Sequence, residues 1–469
     1  MILPFLTVYF IGMIWIGLRS AGKIRGLETF LVADRKGSSL LVTGSLVATV
    51  IGGSSTIGMA GKGFSWGLVG SWWMLVGVPG LLLLSFFLAG RIRHSRLFTL
   101  PELLERHYGA SVKLVASVVI LWAWVGIIGG QIVASGRVLH AIISGDLTVM
   151  MAVSAAIFMT YTILGGQVSI LRTDVVQAAV MVAGISLCTF LSLQEIGGFG
   201  AMKNHLSEDF LSFPVNGSFS WGDLVEWLVL VGSAYLVGPD IYSRLFSARD
   251  GKTARRSVLF TALILVPMAF SIVLIGMSAR VLDPSLSGEQ AFPYIIREVL
   301  PPGINAFVMA ALLCALMSSA DTVLLTSATI LSVDIAGELV TGIRGKPLGE
   351  RSLLLISRLA VILLGLLALG FALRLKGVIA LLLFGYSIYT AGLVVPALLG
   401  FYARRLRLTP AGAVAAVIGG GGWVAIGKTG FLAGPGLDRL LPLRPGLQGV
   451  VISLVLLLAG SYLLPAQKR

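Results

Sequence analysis

The sequence predicts an all-α integral membrane protein of about thirteen transmembrane helices, arranged around a five-plus-five inverted repeat. Three observations carry this expectation. The composition is too apolar for water, apolar runs of membrane-crossing length recur along the whole chain, and two of those runs are interrupted by glycine at positions five spans apart.

Hydrophobic residues make up 57% of the 469 residues and charged residues only 12%, with a mean hydropathy of +0.95. A soluble domain of ordinary usage is far more polar. Crossing the hydrocarbon core takes roughly 20 helical residues, so each long apolar run is read as a span. In chain order the spans fall near 2–18, 39–61, 66–90, 114–140, 148–164, 173–193, 221–243, 257–279, 303–334, 352–373, 377–400, 409–427 and 447–464. The first lacks a basic stretch ahead of it and a small-residue cleavage site behind it, so it is expected to be retained. Cys188 and Cys314 both lie inside apolar runs, which argues against a disulfide framework or a cysteine-based metal site.

The net charge of +14 is spread in short clusters between the spans and not gathered into a patch, which points to lipid headgroups and away from nucleic acid. Most of the 35 basic residues fall in alternate connections. These include Arg19, Lys23, Arg25, Arg35 and Lys36, then Arg91, Arg93, Arg96, Arg106 and Lys113, then Arg172, then Arg244, Arg249, Lys252, Arg255 and Arg256. Arg344, Lys346, Arg351 and Arg358, then Arg404, Arg405 and Arg407, then Lys468 and Arg469 continue the same side. That side is expected to be cytoplasmic, with the N-terminus outside and the C-terminus inside a cell membrane, inner or plasma. The connection 194–220 has room for a short surface helix, and the stretch 281–302 has an amphipathic pattern suited to lying over an external vestibule. No independent soluble domain or obligate protein partner is evident. The expected organisation is 1–37 as an extra N-terminal helix and loop, 38–193 and 221–400 as the two repeats, and 401–469 as two C-terminal helices.

Polar residues inside these spans mark the chemistry. Ile51-Gly52-Gly53-Ser54-Ser55-Thr56 interrupts the second span, and Gly232-Ser233-Ala234-Tyr235 followed by Gly238-Pro239 interrupts the seventh. Unwound backbone at membrane depth offers polar groups for a bound solute, although glycine and serine also permit close helix packing. The ninth span carries Ala315-Leu316-Met317-Ser318-Ser319-Ala320-Asp321-Thr322, followed by Ser327, Thr329, Ser332 and Asp334. A carboxylate at bilayer depth costs about 2.5 to 3.5 kcal/mol on insertion scales and calls for compensation. Hydroxyl and carbonyl oxygens beside it are hard donors suited to a small hard cation. Serines bonding back one turn are the alternative. Asp174, opening the sixth span after Arg172, either pairs with that arginine or serves the cation on its way to the cytoplasm.

These residues resemble the sodium:solute symporter family. The resemblance runs through Phe30-Leu31-Val32-Ala33-Asp34-Arg35, Gly58 to Gly67, Thr99-Leu100-Pro101-Glu102, Tyr161-Thr162-Ile163-Leu164-Gly165-Gly166 with Thr173-Asp174, Asp240-Ile241-Tyr242-Ser243-Arg244, and Ser318-Ser319-Ala320-Asp321-Thr322 with Asp334-Ile335. It implies the inverted-repeat fold of the leucine-transporter type and sodium-coupled symport of a small organic solute by alternating access. It also implies a sodium site on Ala48, Ile51, Ala315, Ser318 and Ser319, and a candidate second cation on Asp174, Asp321 and Thr322, where the carboxylate of Asp321 departs from the hydroxyl that such members carry. The solute is expected among Ser54, Ser55, Thr56, Trp72, Gln131, Ser233, Tyr235, Tyr389 and Thr390. The third span has no acid, the eighth no lysine, and 385–392 no amide, so a polyhydroxylated sugar would lack partners. A monocarboxylate or an amino-acid-like molecule is the expected cargo.

A proton-coupled or different inverted-repeat carrier is the main alternative. A membrane-embedded enzyme fits less well, because His94, His107, His140 and His205 have no nucleophile or metal partner nearby in sequence. The topology is checked by cysteine labelling in intact cells: a probe at position 205 should react and one at 405 should not, and the reverse pattern overturns it.

Overall fold

The structure, a computed structural model, describes residues 2–143, 145–375, 378–428 and 445–463. Among these there is no strand, only two isolated bridges, Gly37 with Ala248 and Asn216 with Phe219. Eight helices are long and apolar enough to cross a membrane by length and composition, joined by shorter apolar helices at Thr7–Ala21, Ser39–Val50, Gly385–Gly400 and Gly446–Tyr462. Each apolar run read from the sequence lies mainly on helix, interrupted at 51–53 in the second run and at 238 in the seventh. Residues 377 and 464 of those runs, and Lys468 and Arg469, lie outside the described residues.

Local chemistry sets the helix ends. Thr99 accepts the Glu102 N–H at 3.1 Å while the Glu102 carboxylate accepts the Thr99 N–H at 3.3 Å, and Pro101 stands in the first turn of Leu100–Tyr108. Asp146 caps the helix Leu147–Glu195 and Asp250 caps Gly251–Leu282. The helix Leu147–Glu195 is two segments joined at Gly166, whose φ of +49° and ψ of −150° suit glycine alone. A Cβ there would also meet the Phe30 carbonyl oxygen at 2.6 Å.

The helix Ile304–Thr329 is the axis of the bundle. Its most apolar stretch is buried on every side, which is how a helix apolar all round must sit. Around it pack Ala110–Ile143, both segments of Leu147–Glu195, the helix Ser39–Val50 and Glu350–Leu375. Two helices are broken at mid-bundle. In the first, Ser39–Val50 ends at Ile51 (φ −83°, ψ 80°) and helix resumes from Ser54. In the second, Ser233–Val237 stops at Gly238 (φ −63°, ψ 124°) and Pro239–Ser247 begins. The Gly37 N–H donates to the Ser247 carbonyl at 2.9 Å and the Arg249 N–H donates to the Gly37 carbonyl at 2.9 Å, tying the start of one broken helix to the end of the other.

The connection 194–220 holds two short helices, Gly198–His205 and Glu208–Leu211, and 281–302 forms the helical turns Gly288–Gln290, Ala291–Tyr294 and Ile295–Val299. Two basic residues assigned to the connections are buried instead. Lys113 is held by Glu338 at 2.7 Å and Glu105 at 3.0 Å, with Asp334 at 3.9 Å. Arg244 is wholly inside the bundle.

Gly166→Ala should lower the thermal midpoint of the detergent-purified protein, by strain of about 1 to 3 kcal/mol together with the clash against Phe30. Gly12→Ala, which meets nothing within 4 Å, is the matched control and should leave it nearly unchanged. Equal midpoints for the two variants would show that the kink tolerates a side chain.

Candidate functional site

Unwinding at 51–53 frees carbonyls that a continuous helix would use, and the axis helix supplies donors to them. Ser318 Oγ donates to the Ala48 carbonyl at 2.8 Å and lies 3.3 Å from the Ala315 carbonyl, and Ser319 Oγ donates to the Thr49 carbonyl at 3.1 Å. Ala48, Ala315, Ser318 and Ser319 therefore meet in one buried cluster of oxygens, and Ile51, also buried, stands at the break itself. A Cβ at position 52 would come within 2.5 Å of Ser319 Oγ and displace that hydroxyl. Gln131 braces the break by accepting the Gly53 N–H at 3.3 Å, Ser55 Oγ donates to the Val50 carbonyl at 2.8 Å, and Thr56 Oγ1 donates to the Gly52 carbonyl at 2.9 Å.

One turn along the axis helix lies a buried charge cluster. Asp174 takes its arginine from an unexpected place: Arg244 Nη2 donates to Asp174 Oδ2 at 3.3 Å and also bonds Thr322 Oγ1, and Arg244 Nε donates to Ser45 Oγ at 3.0 Å. Ser45 Oγ in turn donates to Asp174 Oδ2. Arg172, the partner suggested by adjacency in sequence, instead reaches Ser20 Oγ at 3.3 Å. Thr322 Oγ1 lies 2.7 Å from the Ser318 carbonyl and 3.3 Å from Asp321 Oδ1, so the charge cluster and the oxygen cluster share a helix turn. Asp174 Oδ1, Asp321 Oδ2 and Arg244 Nη1 are buried with no hydrogen-bond partner among the described residues.

Between the two broken helices is a cavity of about 40 Å³. It is water-sized, so a solute fits only if the helices separate. Of the expected solute residues, Ser54, Ser55, Tyr235 and Tyr389 line it. The other five do not. Thr56 and Gln131 serve the break, Ser233 bonds back to the Val229 carbonyl, and Thr390 is buried elsewhere. Trp72 turns outward, stacking on Phe213 at 5.1 Å and donating to the Pro214 carbonyl at 2.8 Å. Its neighbour Trp73 takes the inward position, with Asp240, Ile241 and Tyr386. Asp240 and Arg244 stand in the quoted segment Asp240 to Arg244, one helical turn apart after the Gly238-Pro239 break. A charged pair at that spacing beside a break is the signal that points to both.

Two broken helices that line one cavity in the middle of an all-helical bundle, with hydroxyls from an axis helix on the unwound backbone, define a secondary transporter of the inverted-repeat class. The sodium:solute symporter family profile matches residues 30–420, and the chain belongs to that family. It is 26% identical to the osmoregulated proline transporter of Bacillus subtilis, covering 96% of this chain and 94% of that one. It is 25% identical to the sodium/glucose cotransporter of Vibrio parahaemolyticus, covering 91% and 84%. A Na+-coupled sialic acid symporter, solved substrate-bound and outward-open, superposes with a TM-score of 0.84 at 16% identity over 100% of this chain and 99% of that one. MhsT in complex with L-phenylalanine superposes at 0.56 with 13% identity, over 91% and 99%. The chain is a multi-pass membrane protein that couples sodium to the transport of a small organic solute, and it is not an enzyme.

Arg244→Gln and Asp174→Asn should each destabilise the protein by about 3 to 5 kcal/mol, because each strands a buried charge, and the double variant should recover part of the loss. Thermal midpoints of the purified variants check this. Additive losses would show that the two side chains act independently.

Proposed function

We propose that the protein imports a small amino-acid-like or monocarboxylate solute, with the coupling sodium held by the carbonyls of Ala48, Ile51 and Ala315 and the hydroxyls of Ser318 and Ser319. The observation that carries this reading is the pair of serine hydroxyls set against the Ala48 and Thr49 carbonyls at the break. Those oxygens are hard donors from two helices that belong to different repeats, so an ion among them joins the repeats. The solute occupies the cavity beside the break when the helices part. Transport then proceeds as the axis-helix side and the broken helices change their relative position around a fixed site.

A second cation at Asp174, Asp321 and Thr322 is an extension of this proposal. The unpartnered Asp174 Oδ1 and Asp321 Oδ2 favour it. The guanidinium of Arg244, already bonded to Asp174 and Thr322, supplies positive charge to the same carboxylate and favours a single sodium. Asp321→Asn separates the two. With a second cation, the dependence of uptake on sodium should fall from cooperative to hyperbolic; unchanged sodium dependence assigns Asp321 a structural role.

The sodium site itself is tested by Ser318→Ala with Ser319→Ala in proteoliposomes. The sodium concentration for half-maximal uptake should rise at least tenfold, about 1.4 kcal/mol, while insertion and yield are kept. An unchanged sodium requirement in the double variant removes both hydroxyls from the ion site.

A further inference from the structure

The cavity between the broken helices has a carboxylate in its wall. Asp240 stands in the first turn of the helix Pro239–Ser247, immediately after the break at Gly238. Its Oδ1 accepts only the N–H of the next residue, Ile241, at 3.0 Å, and no lysine, arginine or histidine among the described residues comes within 4 Å of it. Arg244, one turn on, directs its hydrogen bonds to Asp174, Ser45 and Thr322, so its charge acts on Asp240 through space and not by direct contact. The helix start favours a negative charge at Asp240 but does not neutralise it. A carboxylate facing a confined space with no cation in contact raises the affinity of that space for one.

The aromatic part of the wall has the same preference. Trp73, Tyr235, Tyr386 and Tyr389 line the cavity with Asp240. Tyr386 and Tyr389 have ring centroids 6.1 Å apart at 50°. The Tyr389 hydroxyl donates to the Ala234 carbonyl at 3.3 Å, so its polar tip is bound within the protein. Aromatic faces attract ammonium groups within about 6 Å of the ring centroid, more strongly where water is excluded. The protein already uses this nearby: Lys62 Nζ sits 4.0 Å from the Trp66 ring centroid, 4.9 Å from Trp227 and 5.4 Å from Trp73, the last of which also faces the cavity.

We infer that the transported solute carries an ammonium group, which seats between the Asp240 carboxylate and the rings of Tyr386, Tyr389 and Trp73. This rests on the cavity being the solute site, and within that reading it selects a zwitterion or an organic cation over a monocarboxylate. A simple carboxylate would meet Asp240 as a like charge, and a neutral sugar would leave that carboxylate without a counterion.

The test is sodium-driven uptake into proteoliposomes of four labelled probes: proline, choline, lactate and galactose. Proline or choline should accumulate, with lactate and galactose neither accumulating nor competing. Asp240→Asn should raise the concentration for half-maximal uptake of the ammonium probe at least tenfold, and Asp240→Glu should restore part of it. The sodium concentration that half-protects the protein thermally, measured without solute, should be the same in wild type and Asp240→Asn. Sodium-driven uptake of lactate or galactose alone, or Asp240→Asn transporting the ammonium probe with unaltered affinity, overturns the inference. The underlying reading fails separately: if Asp240→Asn, Tyr386→Ala and Tyr235→Ala all leave uptake of every transported probe unchanged, the cavity is not the solute site. If those variants instead alter uptake of lactate or galactose, the cavity is the site and only the ammonium assignment falls.

Discussion

Backbone polar groups cannot go unpaired inside a bilayer, and the interruption at 51–53 places several of them at the middle of this bundle. The surrounding architecture is largely a set of answers to that requirement. Ser318 and Ser319 reach across to the carbonyls of Ala48 and Thr49, Gln131 takes the N–H of Gly53, and Ser55 and Thr56 turn back onto Val50 and Gly52. These partners come from three different helices, so the break cannot form until the bundle is assembled. The same hydrogen bonds are individually modest, worth about 0.5 to 1.5 kcal/mol net, and so can be exchanged for contacts to an ion without dismantling the fold. That balance suits a site that must load and empty in every cycle.

The charge cluster one turn away is of a different kind. Arg244 and Asp174 are both fully buried, and their partners Ser45 and Thr322 are buried too. Burying two charges costs several kcal/mol each before their attraction is counted, so a pair of this kind adds little net stability while penalising any geometry that separates it. It links the first broken helix through Ser45, the second through Arg244, the helix Leu147–Glu195 through Asp174 and the axis helix through Thr322. A change in the relation of the two repeats therefore has to be accommodated here. The unpartnered oxygens of Asp174 and Asp321 show that the accommodation is incomplete in this arrangement.

Much of this was legible in the sequence, for reasons that can be named. Apolar runs separated by charged and glycine-rich breaks locate the helices because a bilayer tolerates little else. Adjacent serines in an otherwise apolar helix are conspicuous, and Ser318 and Ser319 do face the break. Arg244 was not legible by the same logic, because an arginine beside a cluster of basic loop residues looks like another topology determinant; only the packing of Pro239–Ser247 against the axis helix draws it inside. Trp72 and Trp73 illustrate a second limit. Adjacent residues on a helix differ in direction by about 100°, and a break upstream removes the phase that would say which of the two faces inward. Spacing within the motif is informative too: Asp240 and Arg244, four residues apart after a proline, share a helix side.

The proposed solute chemistry and the charge cluster bear on energetics together. One net charge crossing 100 mV yields about 2.3 kcal/mol, and each tenfold gradient requires about 1.4, so voltage on a single charge supports roughly fortyfold accumulation. A monoanion moving with one sodium carries no net charge and gains nothing from voltage, whereas a zwitterion with one sodium carries one and an organic cation carries two. An ammonium seat at Asp240 thus removes the need for a second sodium. Arg244 can then remain as the fixed positive partner of Asp174, a charge that belongs to the protein and crosses nothing. On this view the guanidinium and the cavity carboxylate are complementary choices four residues apart: one supplies a cation to a buried acid permanently, and the other leaves its acid free for the cargo.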